Sequence, residues 1–292
     1  MERYHKLLKE DFGKACVYIH KNSKGSLFRY RSFDSKGHNI SALKENRIYL
    51  SAPSNVNDPW NCRTYLEYKP NPDSFFKTDI SDDEMLKESS LEVGVDFDLI
   101  NILSSDQNKQ IIENYSSNSQ EIENKNIYYE KEYNDKRKEL ITEKFRLGCF
   151  SEDCESILMW SHYAYYHKGF CLEYDIDELK KYTNIMPVIY LKEPFDFWDE
   201  YVERQAQNSI IANYFKYDAW KYEEEWRIVV MKNDCKENEN NISYIDMPNP
   251  KHIYLGVNAS KENEQILQEI AKEKGFDISR MKMRNNKYEL YT

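Results

Sequence analysis

Arg146-Leu147-Gly148-Cys149-Phe150, then Glu155 to His167, then Phe170-Cys171-Leu172-Glu173-Tyr174 follow one another along the chain. The outer two are short apolar and aromatic runs that read as strands. The middle one is longer and carries its apolar residues at helical spacing. Working toward the C-terminus, Met186 to Leu191 and Trp226 to Met231 read as further strands with a helix over 197–216 between them. Ile253 to Val257 and Tyr288 to Tyr291 close the list, with a helix over 260–274. Toward the N-terminus, Leu27 to Arg31 is a strand, and Asn39 or Ser41 caps a helix through Leu43 that ends before the strand Ile48 to Ser51. Residues 1–22, with Leu7, Leu8, Phe12, Ala15, Val17 and Ile19 among charges, read as an amphipathic helix. Strands alternating this irregularly with helices predict an α+β fold: a mixed, largely antiparallel sheet with flanking helices, not a doubly wound parallel sheet.

One stretch interrupts the pattern. From 70 to 145 glycine nearly vanishes and charge rises, and Ile111, Ile112, Tyr115, Ile122, Ile127, Tyr128 and Tyr133 keep a helix-like spacing. It is expected to form a helical insertion or lid within a single domain spanning 1–292, its charges a solvated helix face.

Composition narrows the functional class. A formal net charge of −10 over 292 residues argues against wholesale coating of nucleic acid or an anionic membrane, while leaving room for a local basic pocket. The six cysteines, at 16, 62, 149, 154, 171 and 235, form no CxxC pair, and a chain of this length does not depend on disulfides. They are expected to be free thiols. The polar start Met1-Glu2-Arg3-Tyr4-His5-Lys6 does not resemble a secretory leader, and no apolar run approaches the ~18 residues of a membrane helix. A cytoplasmic location without a membrane partner is the expectation.

Four clusters hold residue types that carry chemistry. On the strand Arg29-Tyr30-Arg31, alternation sends both guanidiniums to one face and Tyr30 to the other. Two adjacent guanidiniums repel unless an anion or a carboxylate joins them, so the pair is either a phosphate-recognising fork or an edge strand paired with acids. Ser51 and the run Asn57-Asp58-Pro59 follow a strand and fix a turn. Asn57 and Ser51 are placed to offer an amide and a hydroxyl to a pocket. On the helix, Trp160, Tyr163 and His167 share a face and His162, Tyr163 and Tyr166 the adjoining one, a stripe that suits a core as well as a ligand site. The two histidines are five apart rather than three or four, so no metal is expected, and His162 is assigned a hydrogen-bonding or acid–base role. Trp220-Lys221-Tyr222-Glu223-Glu224-Glu225-Trp226-Arg227 runs into a strand. If that strand begins near Glu223, then Glu223, Glu225 and Arg227 line one face, where close carboxylates drive their pKa values apart and the arginine holds one ionised. The alternative is a surface salt-bridge ladder.

Taken in order, Leu27 to Arg31, Ile48 to Pro53 with Asn57-Asp58-Pro59, Cys149-Phe150-Ser151, Leu158 to Ala164, His167 to Leu172, Trp220, Tyr222 to Arg227 and Ile253 to Gly256 resemble the bacterial domain-of-unknown-function 2971 family. The early basic strand residue, the Ser or Asn after a second strand and the late Glu-x-Glu are also similar to the ADP-ribosyltransferase arrangement. That resemblance implies that Arg31 or Arg29 orients NAD, that Ser51 or Asn57 supports the nicotinamide ribose, and that Glu225, with Glu223 as partner, stabilises an oxocarbenium-like transition state. Trp160, Tyr163 and Trp226 would then sandwich a flat ring, with Tyr30, Asp58 and Arg227 lining the same surface. The function expected is NAD consumption, as a transferase or glycohydrolase, in a toxin or defence protein. Two other classes stand beside it: a regulatory module that binds a nucleotide or protein without chemistry, and a hydrolase with a divalent metal on Asp58, Glu223 and Glu225.

Overall fold

In the computed structural model, described residues are 2–58, 131, 134–135, 138–194 and 209–292. The chain divides into two compact units. The first comprises Met1–Cys62, Ile141–Glu193 and Asn213–Thr292; the second comprises Arg63–Leu140 and Pro194–Ala212. Almost all of the insertion expected over 70–145, and most of the helix expected over 197–216, lie outside the described residues.

The fold is α+β. The first unit opens with two helices, α1 (Glu2–Glu10) and α2 (Phe12–Asn22), where the sequence pattern suggested one. Asp11 divides them: its backbone is extended, and its carboxylate accepts from the Lys14 amide at 3.0 Å, capping α2. Strand β1 (Ser26–Arg31), helix α3 (His38–Lys44) and β2 (Arg47–Tyr49) follow. Between the two segments of the second unit come β3 (Phe145–Ser151), α4 (Ile157–Tyr163), β4 (Phe170–Asp175), the short α5 (Ile176–Leu179), β5 (Ile185–Pro187) and β6 (Ile189–Leu191). Then come β7 (Phe215–Tyr217), a 3-10 turn over Asp218–Glu223, β8 (Glu225–Met231), β9 (Lys236–Glu237), β10 (Ser243–Asp246) and β11 (His252–Leu255). Last are α6 (Lys261–Lys274), β12 (Asp277–Arg280), β13 (Lys282–Met283) and β14 (Leu290–Tyr291). Among the described residues no helix is long and apolar enough to cross a membrane.

The central sheet runs β12-β11-β4-β1-β3-β8-β5, with β11 and β12 parallel and every other pair antiparallel. Register and pleat together decide what faces what. Phe28 opposes Ser151, and Ser151 opposes Glu225, so Phe28, Tyr30, Cys149, Ser151, Glu225 and Arg227 share one face. Arg29, Arg31, Phe150, Trp226, Phe170 and Leu172 share the other. On the first face Tyr30, Met159, Trp160, Ala164, Cys171, Met281 and Leu290 form a buried cluster that seats α4. On the second, β2 packs so closely that a Cβ on Gly148 would stand 3.0 Å from both Ile48 and Leu50 side chains.

Helix α4 ends earlier than its pattern suggests. Beyond Ala164 the backbone turns left-handed for three residues, with φ of 47° at Tyr165, 55° at Tyr166 and 63° at His167. Such a conformation costs an L-residue roughly 1–2 kcal/mol, so the surroundings must impose it. A Cβ on Gly169 would lie 2.1 Å from the Arg31 carbonyl oxygen, and one on Gly256 2.1 Å from that of His167. Two glycines thus let β1, β11 and the turn touch backbone to backbone, and this fixes where α4 points its last residue, Tyr163.

Candidate functional site

The Trp220–Arg227 cluster builds the centre of the site, by a route other than strand alternation. Glu223 precedes β8, closing the 3-10 turn, and Glu224 then adopts a left-handed conformation, φ 43°. That reversal brings Glu223 back toward Glu225 across Lys216, which β7 supplies from the apolar run Tyr214-Phe215-Lys216-Tyr217. The Lys216 ammonium contacts Glu223 Oε2 and lies 3.1 Å from Glu225 Oε2. Arg227 grips Glu225 with two bonds, Nε to Oε1 at 2.8 Å and Nη2 to Oε2 at 3.0 Å, and donates a third, at 2.6 Å, to the Asn213 carbonyl. Two acids and two bases therefore form a charge-balanced tetrad, with the Lys216, Glu223 and Glu225 side chains only 2%, 3% and 4% exposed.

Burial alone would push the Glu225 carboxyl up. Arg227 and then Lys216 outweigh it and hold the group well below the usual carboxylate range. Around it, the Tyr190 hydroxyl accepts from the Glu225 amide at 2.8 Å, and burial followed by the Glu225 charge pushes that phenol up. The Cys149 thiol is pushed up by the same two causes, which disfavours its thiolate. Lys216 also stands 5.0 Å from the Trp220 ring centroid, so that tryptophan covers the ammonium.

The tetrad opens on the Glu223 side. Glu223 Oε1 accepts from the Tyr163 hydroxyl at 2.5 Å and from Asn57 Nδ2 at 3.3 Å, and Asn57 also contacts Tyr163. Burial and then Glu223 raise the Tyr163 phenol, which stays a donor. His162 Nδ1 lies 3.1 Å from the Tyr222 hydroxyl. Asn57 and His162 are exposed, and Tyr163 and Tyr222 half-buried. The carboxylate is thus buried, with the exposed Asn57 and the half-buried Tyr163 bonded to its outer oxygen, and three separate segments converge on it. No sequence pattern singled out Lys216 or Tyr190, and Tyr222 stood within the Trp220–Arg227 cluster without a role of its own.

Several expected members lie elsewhere. Arg29 and Arg31 stand on the opposite sheet face from Glu225, because they and Glu225 fall on opposite parities of the β1–β3–β8 register. Arg29 is buried there as a structural tie: it donates to the carbonyls of Cys149 at 2.9 Å and Tyr49 at 3.0 Å, and lies 5.3 Å from the Phe150 ring centroid. Arg31 donates to the Tyr30 carbonyl at 3.0 Å, and desolvation lowers its guanidinium. Trp226 faces away too, its indole bound to Glu152 at 2.6 Å. Tyr30 is buried edge-on against Trp160, its hydroxyl on the Asp153 carbonyl at 2.6 Å, and Trp160 is core, its indole on the Cys154 carbonyl at 2.7 Å. Ser51 bridges Leu147 through the backbone, and Asp58 is buried. Arg227 is wholly buried and committed to Glu225.

The divalent-metal alternative needed Asp58, Glu223 and Glu225 to converge. Lys216 stands between the two glutamates instead, and among the described residues no three of His, Cys, Asp and Glu are grouped to hold a metal. His167 points to Ser161, 3.0 Å from its hydroxyl, and not toward His162.

Residues 159–228 match the family described as "Protein of unknown function (DUF2971)". The matched segment begins in α4 and ends in β8, so it carries His162, Tyr163, Lys216, Tyr222, Glu223, Glu225 and Arg227 together. No curated protein and no solved structure matches the chain.

Proposed function

We propose that the site cleaves the N-glycosidic bond between a ribose and a cationic base, as in NAD, handing the ribosyl group to water or another acceptor, with Glu223 as the carboxylate that faces the sugar. The observation that carries this is Glu223 itself: one oxygen anchored on Lys216, the other bonded to Tyr163 and the exposed Asn57 at the edge of a buried ion network. Breaking such a bond builds positive charge on the sugar. A carboxylate fixed in advance lowers that barrier without having to reorganise. Tyr163 and Asn57 are hydroxyl and amide groups of the kind that ribose hydroxyls pair with, and their bonds to Glu223 are exchangeable for bonds to a diol. Rings of Tyr163, His162 and Tyr222 lie edge-on around the same rim, suited to a flat heterocycle. Glu225 supports from behind, orienting Lys216, and does not meet substrate.

Glu223→Gln keeps size and hydrogen bonds but removes the charge. Released nicotinamide, followed by chromatography, should fall by on the order of 10²–10³ fold, the scale of losing one electrostatic contact to a transition state. Full turnover in this variant overturns the assignment. One feature favours a non-catalytic binding module as the second reading: every oxygen of the two glutamates already has a protein partner. Under that reading NAD stays intact during prolonged incubation while raising the melting temperature.

A further inference from the structure

Resting on the reading just given, we propose that His162 is the base that deprotonates the acceptor, and that Tyr222 is the positioning residue that sets its tautomer. His162 is exposed near the C-terminal end of α4, yet its ring is held from two sides. Tyr163 lies 6.3 Å away at 78° and Tyr222 6.0 Å away at 67°, both centroid to centroid. Nδ1 is committed to the Tyr222 hydroxyl at 3.1 Å. Among the described residues, the titratable groups recorded against the ring are Tyr163 from its own helix and, from the turn ahead of β8, Tyr222, which adjoins Glu223 in the chain.

Those neighbours define a direction. The Tyr163 hydroxyl ends on Glu223, and Tyr222 adjoins Glu223 in the chain, so the imidazole stands at the rim beside the carboxylate assigned to the sugar. Burial and then the Glu223 charge push the Tyr222 phenol up, so it remains protonated. In the proposed tautomer Nδ1–H donates to the phenol oxygen, which Tyr222 must hold against donating its own proton to Nδ1, and Nε2 then carries the lone pair that takes the acceptor's proton. In the step, the acceptor oxygen forms a bond to ribose C1′ as the bond from C1′ to the ring nitrogen breaks. The electron pair of that bond leaves with the nicotinamide, which becomes neutral, and the acceptor's proton passes to His162 Nε2. Charge balances: cationic NAD and a neutral acceptor give two products and an imidazolium.

The test uses the full chain, NAD, and water or methanol as acceptor. His162→Ala should lower nicotinamide release by on the order of 10²-fold, and added imidazole should restore about tenfold of it by standing in for the missing ring. Tyr222→Phe should lower the rate several-fold, with the acid limb of the pH profile displaced relative to the parent. His162→Asn repeats the rescue if the alanine variant fails to fold. A His162 variant that folds but gains nothing from imidazole and keeps the parental acid limb overturns the proposal, while a dead Glu223→Gln leaves the wider reading standing. An unmodified chain that releases no nicotinamide overturns both.

Discussion

Replacing Lys216 with methionine keeps the aliphatic stem and removes the one charge that stands between Glu223 and Glu225. Arg227 is left to offset two carboxylates, and it is bonded to only one of them. Because the participating side chains are at most 4% exposed, water screens little of the loss. Breaking a buried pair from one side costs about 3–5 kcal/mol. At about 2–4 °C per kcal/mol for domains of comparable size, the melting temperature should fall by on the order of 10 °C. The pH dependence has a definite sign. The folded-state pKa of Glu225 lies below its unfolded value, so its stabilising contribution is complete above the ordinary glutamate value and is lost as pH falls through the folded one. Lys216→Met removes one of the two charges that depress this pKa, so acid unfolding should begin at higher pH than in the parent. Urea unfolding and thermal melts from neutral to acid pH measure both effects, and adding Glu223→Gln to Lys216→Met should recover about 1–3 kcal/mol through pair coupling. A single variant that loses less than about 1 kcal/mol, or strict additivity in the pair, would refute the tetrad as a coupled buried unit.

Two further outcomes follow from the sheet and its turn. Arg31→Met should leave nicotinamide release within about twofold of the parent, since its side chain is on the far face of the sheet; a loss of 10²-fold, the scale of a removed transition-state contact, would contradict the register. Gly169→Ala should destabilise by more than about 3 kcal/mol or prevent folding, because its Cβ would meet the Arg31 carbonyl oxygen at 2.1 Å, whereas Gly275→Ala, with open space around it and only a left-handed φ of 76° to tolerate, should cost about 1 kcal/mol in the same denaturation assay.

Element types were readable where one periodicity dominated. The alternation in β1, β3, β4 and β8 and the pattern of α6, capped by Ser260 and ended by Gly275, fall where the sequence puts them to within a few residues. The misses have local causes. Asp11 splits the first helix because a capping carboxylate competes with continuation. Phe215 and Lys216, expected to finish a helix, fall in the strand Phe215–Tyr217 because pairing with Ile189–Leu191 overrides weak local preference. The left-handed turn after Ala164 is illegible from Tyr165, Tyr166 and His167 themselves; Gly169 and Gly256 permit it, each through a close backbone contact between segments distant in sequence.

The site was half legible for a reason that parity makes explicit. Within one strand, alternation correctly joins Glu225 with Arg227 and separates both from Trp226. Between strands the face depends on register, which no local pattern contains, so whether Arg31 or Tyr30 shares a face with Glu225 could not be read until Phe28 was seen opposite Ser151 and Ser151 opposite Glu225. Glu223 reached the right place by the wrong rule, through the left-handed Glu224 and not through the pleat. Lys216 carried no signal because a lysine among Tyr214, Phe215 and Tyr217 reads as a solvent-facing interruption. The consequence for function is specific. On this face the two strongest cations, Lys216 and Arg227, already neutralise Glu223 and Glu225, and Arg29 and Arg31 are out of reach. A dinucleotide seated here would therefore be held mainly through its sugar hydroxyls and rings, its affinity should depend only weakly on salt, and a steep salt dependence would point to a phosphate site that the tetrad does not contain.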